Sequence, residues 1–190
     1  CHATDATHCA GLDAAVPHGT AAPVTYCVGH KFADFASHKG WMKDEITGSY
    51  PGTNATPAEI FALAAEYHSA AEALILLGRQ RQPISRAPAR LCAIHAIELY
   101  LNAFLQVSGD PPEKVRGRFH NLADRANTSV ARGLVLRKRT LNHLVRMTED
   151  REYLISRYGP ELSGSLSESN RLMATLAEIA KKVRPKVPMY

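Results

Sequence analysis

Arg137 and His143 are the residues of this chain most readily written into a reaction. A histidine can take the proton from a ribose 2′-hydroxyl or return one to a leaving oxygen, while an arginine stabilises the charge that grows on a phosphorane. A second copy of the pair across a symmetric interface would place both sets around one RNA strand. Spacing alone carries little weight. Fifteen Arg and nine His among 190 residues yield roughly two pairs by chance with a His following an Arg across four to six intervening residues, and two occur, Arg90 with His95 and Arg137 with His143. The plain alternative is a solvated basic helix start.

Two further groups of polar residues invite chemistry. His95, Glu98 and Asn102 are spaced to share one helix face within an apolar segment, where His95 and Glu98 would share a hydrogen bond and Asn102 would extend the stripe. A buried carboxylate needs partners simply to be tolerated, so a buried polar network is set beside a ligand site. Arg116, Arg118 and His120 precede an expected helix start, where backbone N–H groups and the dipole favour anions. With Arg157 they form a candidate phosphate-binding set, and capping and packing are their alternative use.

Other chemistries lack their motifs. There is no Glu-x-x-His or His-x-x-x-His spacing, so no metal site is expected in the helical region. Phosphate-cradling glycine loops and a Gly-x-Ser-x-Gly elbow are missing as well, and no cofactor is implied.

The net charge of +5 and pI near 9.1 suit an anionic partner such as RNA, nucleotide or phosphate, and equally an ordinary solvated surface. Glu72, His95 and Glu98 interrupt the most apolar stretches, so no membrane span is expected. Three of the four cysteines fall in the first thirty residues, which is no disulfide framework and fits a reducing cytoplasm. Residues 1–41 lack helical or strand periodicity and precede Met42. They read as an extension outside the fold, disordered or non-native. Two other readings stand beside this: acylation at Cys1, as in a lipoprotein, and zinc held by Cys1, Cys9, Cys27 and His30.

Five helices are expected after that extension. Thr56-Pro57-Ala58-Glu59 has the form of a capping box with Pro at the first helical position, and apolar residues then recur at steps of three and four until Gly78. A second helix opens at Ser85 to Pro88 and ends at Gly109-Asp110-Pro111-Pro112, a third covers Asn121 to Arg132, and a fourth Arg139 to Tyr158. Ser165-Leu166-Ser167-Glu168 reads as a capping box for the fifth. These predict an all-α, antiparallel, up-and-down bundle of four or five helices. Alternating directions would gather Arg79, Arg81, Arg86, Arg90, Arg132, Arg137, Lys138 and Arg139 at one end, and Arg116, Arg118, His120, Arg157 and Tyr158 at the other.

His95-Ala96-Ile97-Glu98-Leu99-Tyr100-Leu101-Asn102-Ala103-Phe104-Leu105, followed by Phe119-His120-Asn121-Leu122-Ala123-Asp124, resembles the HEPN family of helical proteins. Arg157-Tyr158-Gly159-Pro160 resembles that family's later Arg-Tyr-Pro turn, and the similarity spans residues 57–184. Asn102 departs from the Lys that many relatives place four residues after the Glu, and Asn121 from the usual Asp. The resemblance implies a helical bundle, as a homodimer or bound to a partner such as a nucleotidyltransferase-like antitoxin, associated with RNA or nucleotides. One branch of the family comprises metal-independent endoribonucleases, some of them toxins, that use an Arg and a His with four to six residues between them. Other branches are interaction modules. A non-catalytic nucleotide- or RNA-associated module is therefore expected, with an endoribonuclease using Arg137 and His143 as the alternative. A protein acting only through helical contacts with an unrelated partner is a third reading.

Overall fold

The computed structural model describes residues 50–188, and among these there are seven α-helices and no strand. Residues 1–41, with the candidate acylation at Cys1 and the candidate zinc ligands Cys1, Cys9, Cys27 and His30, lie outside the described residues. No described helix is long and apolar enough to cross a membrane.

Helix α1 (Pro57–Ile75) starts as its sequence dictates: Glu59 N donates to Thr56 Oγ1 at 3.2 Å, and Thr56 N donates to Glu59 Oε2 at 2.8 Å. It lies antiparallel to α2 (Ala87–Val107), joined by ring contacts of Phe61 with Tyr100 at 5.0 Å and Tyr67 with His95 at 4.5 Å. Helix α2 is the axis of the molecule. Ala93, Ala96, Ile97, Leu101, Ala103 and Leu105 are all fully buried, and the small side chains among them let neighbouring backbones approach closely. Gly109, at φ +93, closes the helix while Asp110 N donates to Leu105 O at 3.0 Å. A left-handed residue just past a helix favours glycine.

Three boundaries differ from those expected. Pro112 does not merely end a helix; it opens α3 (Pro112–Arg116), a single turn with proline where no N–H is needed. The expected fourth helix is two, α5 (Lys138–Glu149) and α6 (Glu152–Tyr158), because Arg151 adopts φ +51 and turns the chain. The Ser165 capping box does not form: Ser165 Oγ donates to Leu162 O instead, and α7 (Ser169–Val183) follows Glu168 with no side-chain cap. Helix α4 (Leu122–Ala131) is capped as the sequence suggests, with Asp124 N donating to Asn121 Oδ1 at 2.8 Å.

Helices α5 and α7 are antiparallel, with Thr140 bonded to Glu178 and His143 to Thr175. Arg132 is not gathered with Arg79 and Arg137. Its guanidinium donates to Ser108 O at 2.7 Å and pairs with Asp110 at 2.5 Å, so α4 finishes beside the C-terminus of α2. Simple alternation of helix direction does not extend to α4.

Candidate functional site

Two polar centres flank α2. The first is built on Glu98. Its Oε1 lies 3.0 Å from an Arg125 guanidinium nitrogen and its Oε2 3.0 Å from His120 Nδ1. Arg125, 1% exposed, also donates from Nε to Asn102 Oδ1 at 2.7 Å and from its other nitrogens to the carbonyls of Val115, Arg118 and Asn121. Burial depresses the pKa of Arg125, and the Glu98 carboxylate opposes that shift. The cation beside Glu98 and Asn102 thus comes from α4.

Arg125 was not anticipated from the sequence, although a signal existed. Leu122, Arg125, Ala126 and Ser129 recur at helical spacing and are all buried, so an arginine stands on the stripe where an apolar residue is expected. His95, by contrast, does not join this network by hydrogen bonding. Its ring meets Tyr67 edge-on and its buried Nδ1 has no hydrogen-bond partner, while desolvation holds its pKa below the ordinary histidine value. Of the expected stripe, Glu98 and Asn102 are brought together through Arg125.

The expected phosphate-binding set does not assemble as one site. Arg118 is committed to Asp124, to Thr128 at 3.0 Å and to Asp110 at 3.2 Å. Burial pushes the Asp110 carboxyl upward, yet hydrogen bonds from Lys114, Arg118 and Arg132 outweigh this and hold it below the usual value. Arg116 lies over the Tyr50 ring and donates to Thr53 Oγ1 at 3.1 Å. Only His120 and Arg157 share a neighbour: the His120 ring packs 4.4 Å from Tyr153, and the Arg157 guanidinium lies 5.7 Å from the same ring.

The second centre surrounds His143. A cleft of about 530 Å³ is lined by Arg139, Asn142, His143 and Arg146 of α5 and Arg171 of α7, together with Asp150, Glu152, Ser165, Ser167 and Glu168. Arg139, His143 and Arg146 follow one another at helical spacing of four and three, so they share a face of α5. The side chains of Arg139 and Arg146 make no hydrogen bond or ion pair within the described chain, whereas Arg171 donates to Arg139 O.

His143 is 5% exposed; its Nδ1 lies 2.8 Å from Thr175 Oγ1, and its Nε2 is buried without a partner. Desolvation lowers its pKa to about 4; Arg171, Arg90 and Arg146 add to the effect and Glu152 opposes it. The ring is therefore neutral at pH 7, with one nitrogen held by Thr175 and the other unoccupied.

Behind the cleft, Glu152 pairs with Arg90 at 2.5 Å and accepts from Ser167 N and Oγ at 2.9 and 3.1 Å. Arg90 also donates to Ser167 O at 2.7 Å. This knot ties α6 and the segment before α7 to the start of α2. The left-handed turn at Arg151 immediately precedes Glu152 in the chain.

The expected pairing of Arg137 with His143 is not assembled. Arg137 is 65% exposed, its backbone N–H donates to Glu178 at 2.8 Å, and its guanidinium stands 3.8 Å from the same carboxylate, away from the cleft lining. The arginines that accompany His143 are Arg139, Arg146 and Arg171. The face shared by Arg139 and Arg146 was legible in their spacing; the approach of Arg171, from another helix, was not. No group of His, Cys, Asp and Glu among the described residues is arranged to hold a metal ion. In comparisons with known proteins, the chain matches no family model, no curated protein and no solved structure.

Proposed function

We propose that this chain is a HEPN-like helical bundle that serves as a nucleotide- or RNA-associated binding module, with the His143 cleft as the seat of a phosphate group. The observation that carries this reading is buried His143, whose Nε2 has no partner among the described residues and whose side chain lines one cleft with Arg139, Arg146 and Arg171. A buried polar nitrogen left unsatisfied is costly, and a ligand acceptor would relieve it. Guanidinium groups suit phosphate oxygens through paired donors. The cleft volume of about 530 Å³ lies within the range of small-ligand pockets. The cleft is also lined by carboxylates and hydroxyls, which suit a ligand that bears hydrogen-bond donors as well, as ribose does. A homodimer, a nucleotidyltransferase-like partner and a cytoplasmic setting belong to this reading through the family resemblance alone.

The endoribonuclease alternative would use His143 as its base: the ring is neutral at pH 7, but a pKa lowered to about 4 makes it a weak one. Against it stands Arg137, bound to Glu178 outside the cleft. Fluorescence anisotropy with a labelled ribonucleotide and a short RNA separates the two. Binding that weakens with salt, falls about tenfold in Arg146→Gln or Arg171→Gln and leaves RNA intact supports the module. Cleavage abolished in His143→Ala supports the nuclease, and no binding at low salt defeats both.

A further inference from the structure

A smaller cavity of about 150 Å³ lies on the other side of the Ser167–Glu168 segment, lined by Arg86, Arg90, Ser163, Ser169 and neighbouring residues. Its donors come from three directions. Arg90 is 3% exposed, and the partners of its terminal nitrogens are Glu152 and Ser167; its Nε is buried and unbonded. Arg86 makes no hydrogen bond or ion pair within the described chain, and its stem is seated against Gly78, where an added Cβ would come within 2.8 Å of Arg86 Cγ. Ser169 lines the cavity and opens the fifteen-residue helix α7, whose first turn has no side-chain cap, so its amide N–H groups and the positive end of the dipole lack a side-chain acceptor among the described residues.

We infer that this cavity is a separate subsite for one phosphoryl group, held by Arg86, Arg90 Nε–H and the first-turn amides of α7. Charge alone does not carry it, because Glu152 already balances Arg90; the match lies in N–H donors around one cavity that have no acceptor among the described residues. Glu168 lines the cavity as its one carboxylate and is exposed; it is able to turn toward water when an anion enters. The volume of about 150 Å³ suits a single tetrahedral oxyanion. The subsite stands independently of what fills the His143 cleft.

The test is a titration of the full chain with inorganic phosphate, followed through the ¹H–¹⁵N signals of the Ser169 amide and Arg90 Nε–H. Both signals are expected to shift together and to saturate. Arg86→Gln should weaken the midpoint about tenfold, the loss of one charge-assisted bond. Arg146→Gln, in the other cleft, should leave that midpoint unchanged. Arg90 itself is left intact, since its replacement would strand buried Glu152. Signals at Ser169 and Arg90 that never saturate, or a midpoint identical in Arg86→Gln, would overturn the inference. Shifts confined to His143 and Arg146 would overturn it as well, while leaving the reading of the larger cleft in place.

Discussion

The Glu98 centre and the His143 cleft are assembled from the same residue types, and they end in opposite states. Around Glu98, the Arg125 guanidinium is surrounded by acceptors: one carboxylate, one amide oxygen and three carbonyls. Around His143, Nε2 is left without a partner and two arginines lack any. A closed network of this kind fixes helices α2 and α4 to one another. An open one holds donors in position for something outside the chain.

The sharpest way to break this contrast is Arg125→Ala. Removing one member of a buried ion pair is costly, but Glu98 retains His120, so the loss falls at the lower end of the usual cost, about 3 kcal/mol. Urea unfolding should show a loss of this size, whereas Arg146→Ala at the cleft should stay within about 0.5 kcal/mol. Equal losses in the two variants would mean that the cleft arginines also hold the fold.

Acid unfolding sharpens the same contrast. The folded pKa of His143 is about 4, against about 6.5 for an unfolded chain. Below pH 6.5 the unfolded state therefore takes up a proton that the folded state refuses, and stability falls with pH until the folded ring also protonates near pH 4. The contribution is full above pH 6.5 and amounts to at most about 3 kcal/mol. The measurement is the urea midpoint between pH 7 and pH 4, and His143→Gln should flatten the slope. Saturating phosphate should flatten it too, because an anion beside Nε2 favours the protonated ring. A slope unchanged in His143→Gln would place the acid sensitivity elsewhere.

Much of the scaffold was legible because its signals are local. The Thr56 to Glu59 box, the proline at position 57 and the glycine at 109 each act within one turn of chain. The break at Arg151 was not legible, since a left-handed arginine is held by contacts that form later: Glu152 reaches Arg90, sixty-two positions away. His95 shows the same limit. Its spacing from Glu98 suits a hydrogen bond on one face, but Tyr67 of α1 takes the ring instead. The candidate site was half visible for this reason. His143 stood out by type, its companions on α5 by spacing and Arg125 only as an arginine on an apolar stripe of α4, while Arg171 is placed by tertiary packing alone.

A smaller effect is expected at Asn121. Its side chain caps α4 beside the Glu98 centre, and Asn121→Ala should lower stability by about 1 kcal/mol in urea unfolding. Nucleotide affinity at the His143 cleft should be unchanged. A parallel loss of binding would show that the two centres are coupled through α4 and α5.

Arg137→Ala is expected to do least, and for that reason separates the two functional readings most cleanly. The side chain is 65% exposed and stands 3.8 Å from Glu178, a surface pair worth about 0–1 kcal/mol. The backbone N–H that binds Glu178 survives the substitution, so the start of α5 stays tied to α7. Ligand affinity at the cleft should match that of the wild-type chain, because Arg137 is not among its lining residues. A nuclease that depends on Arg137 would instead lose orders of magnitude in rate with no change in stability. RNA turnover by the two purified proteins, compared at equal concentration, decides whether α5 carries a working pair or one open histidine with arginines of its own.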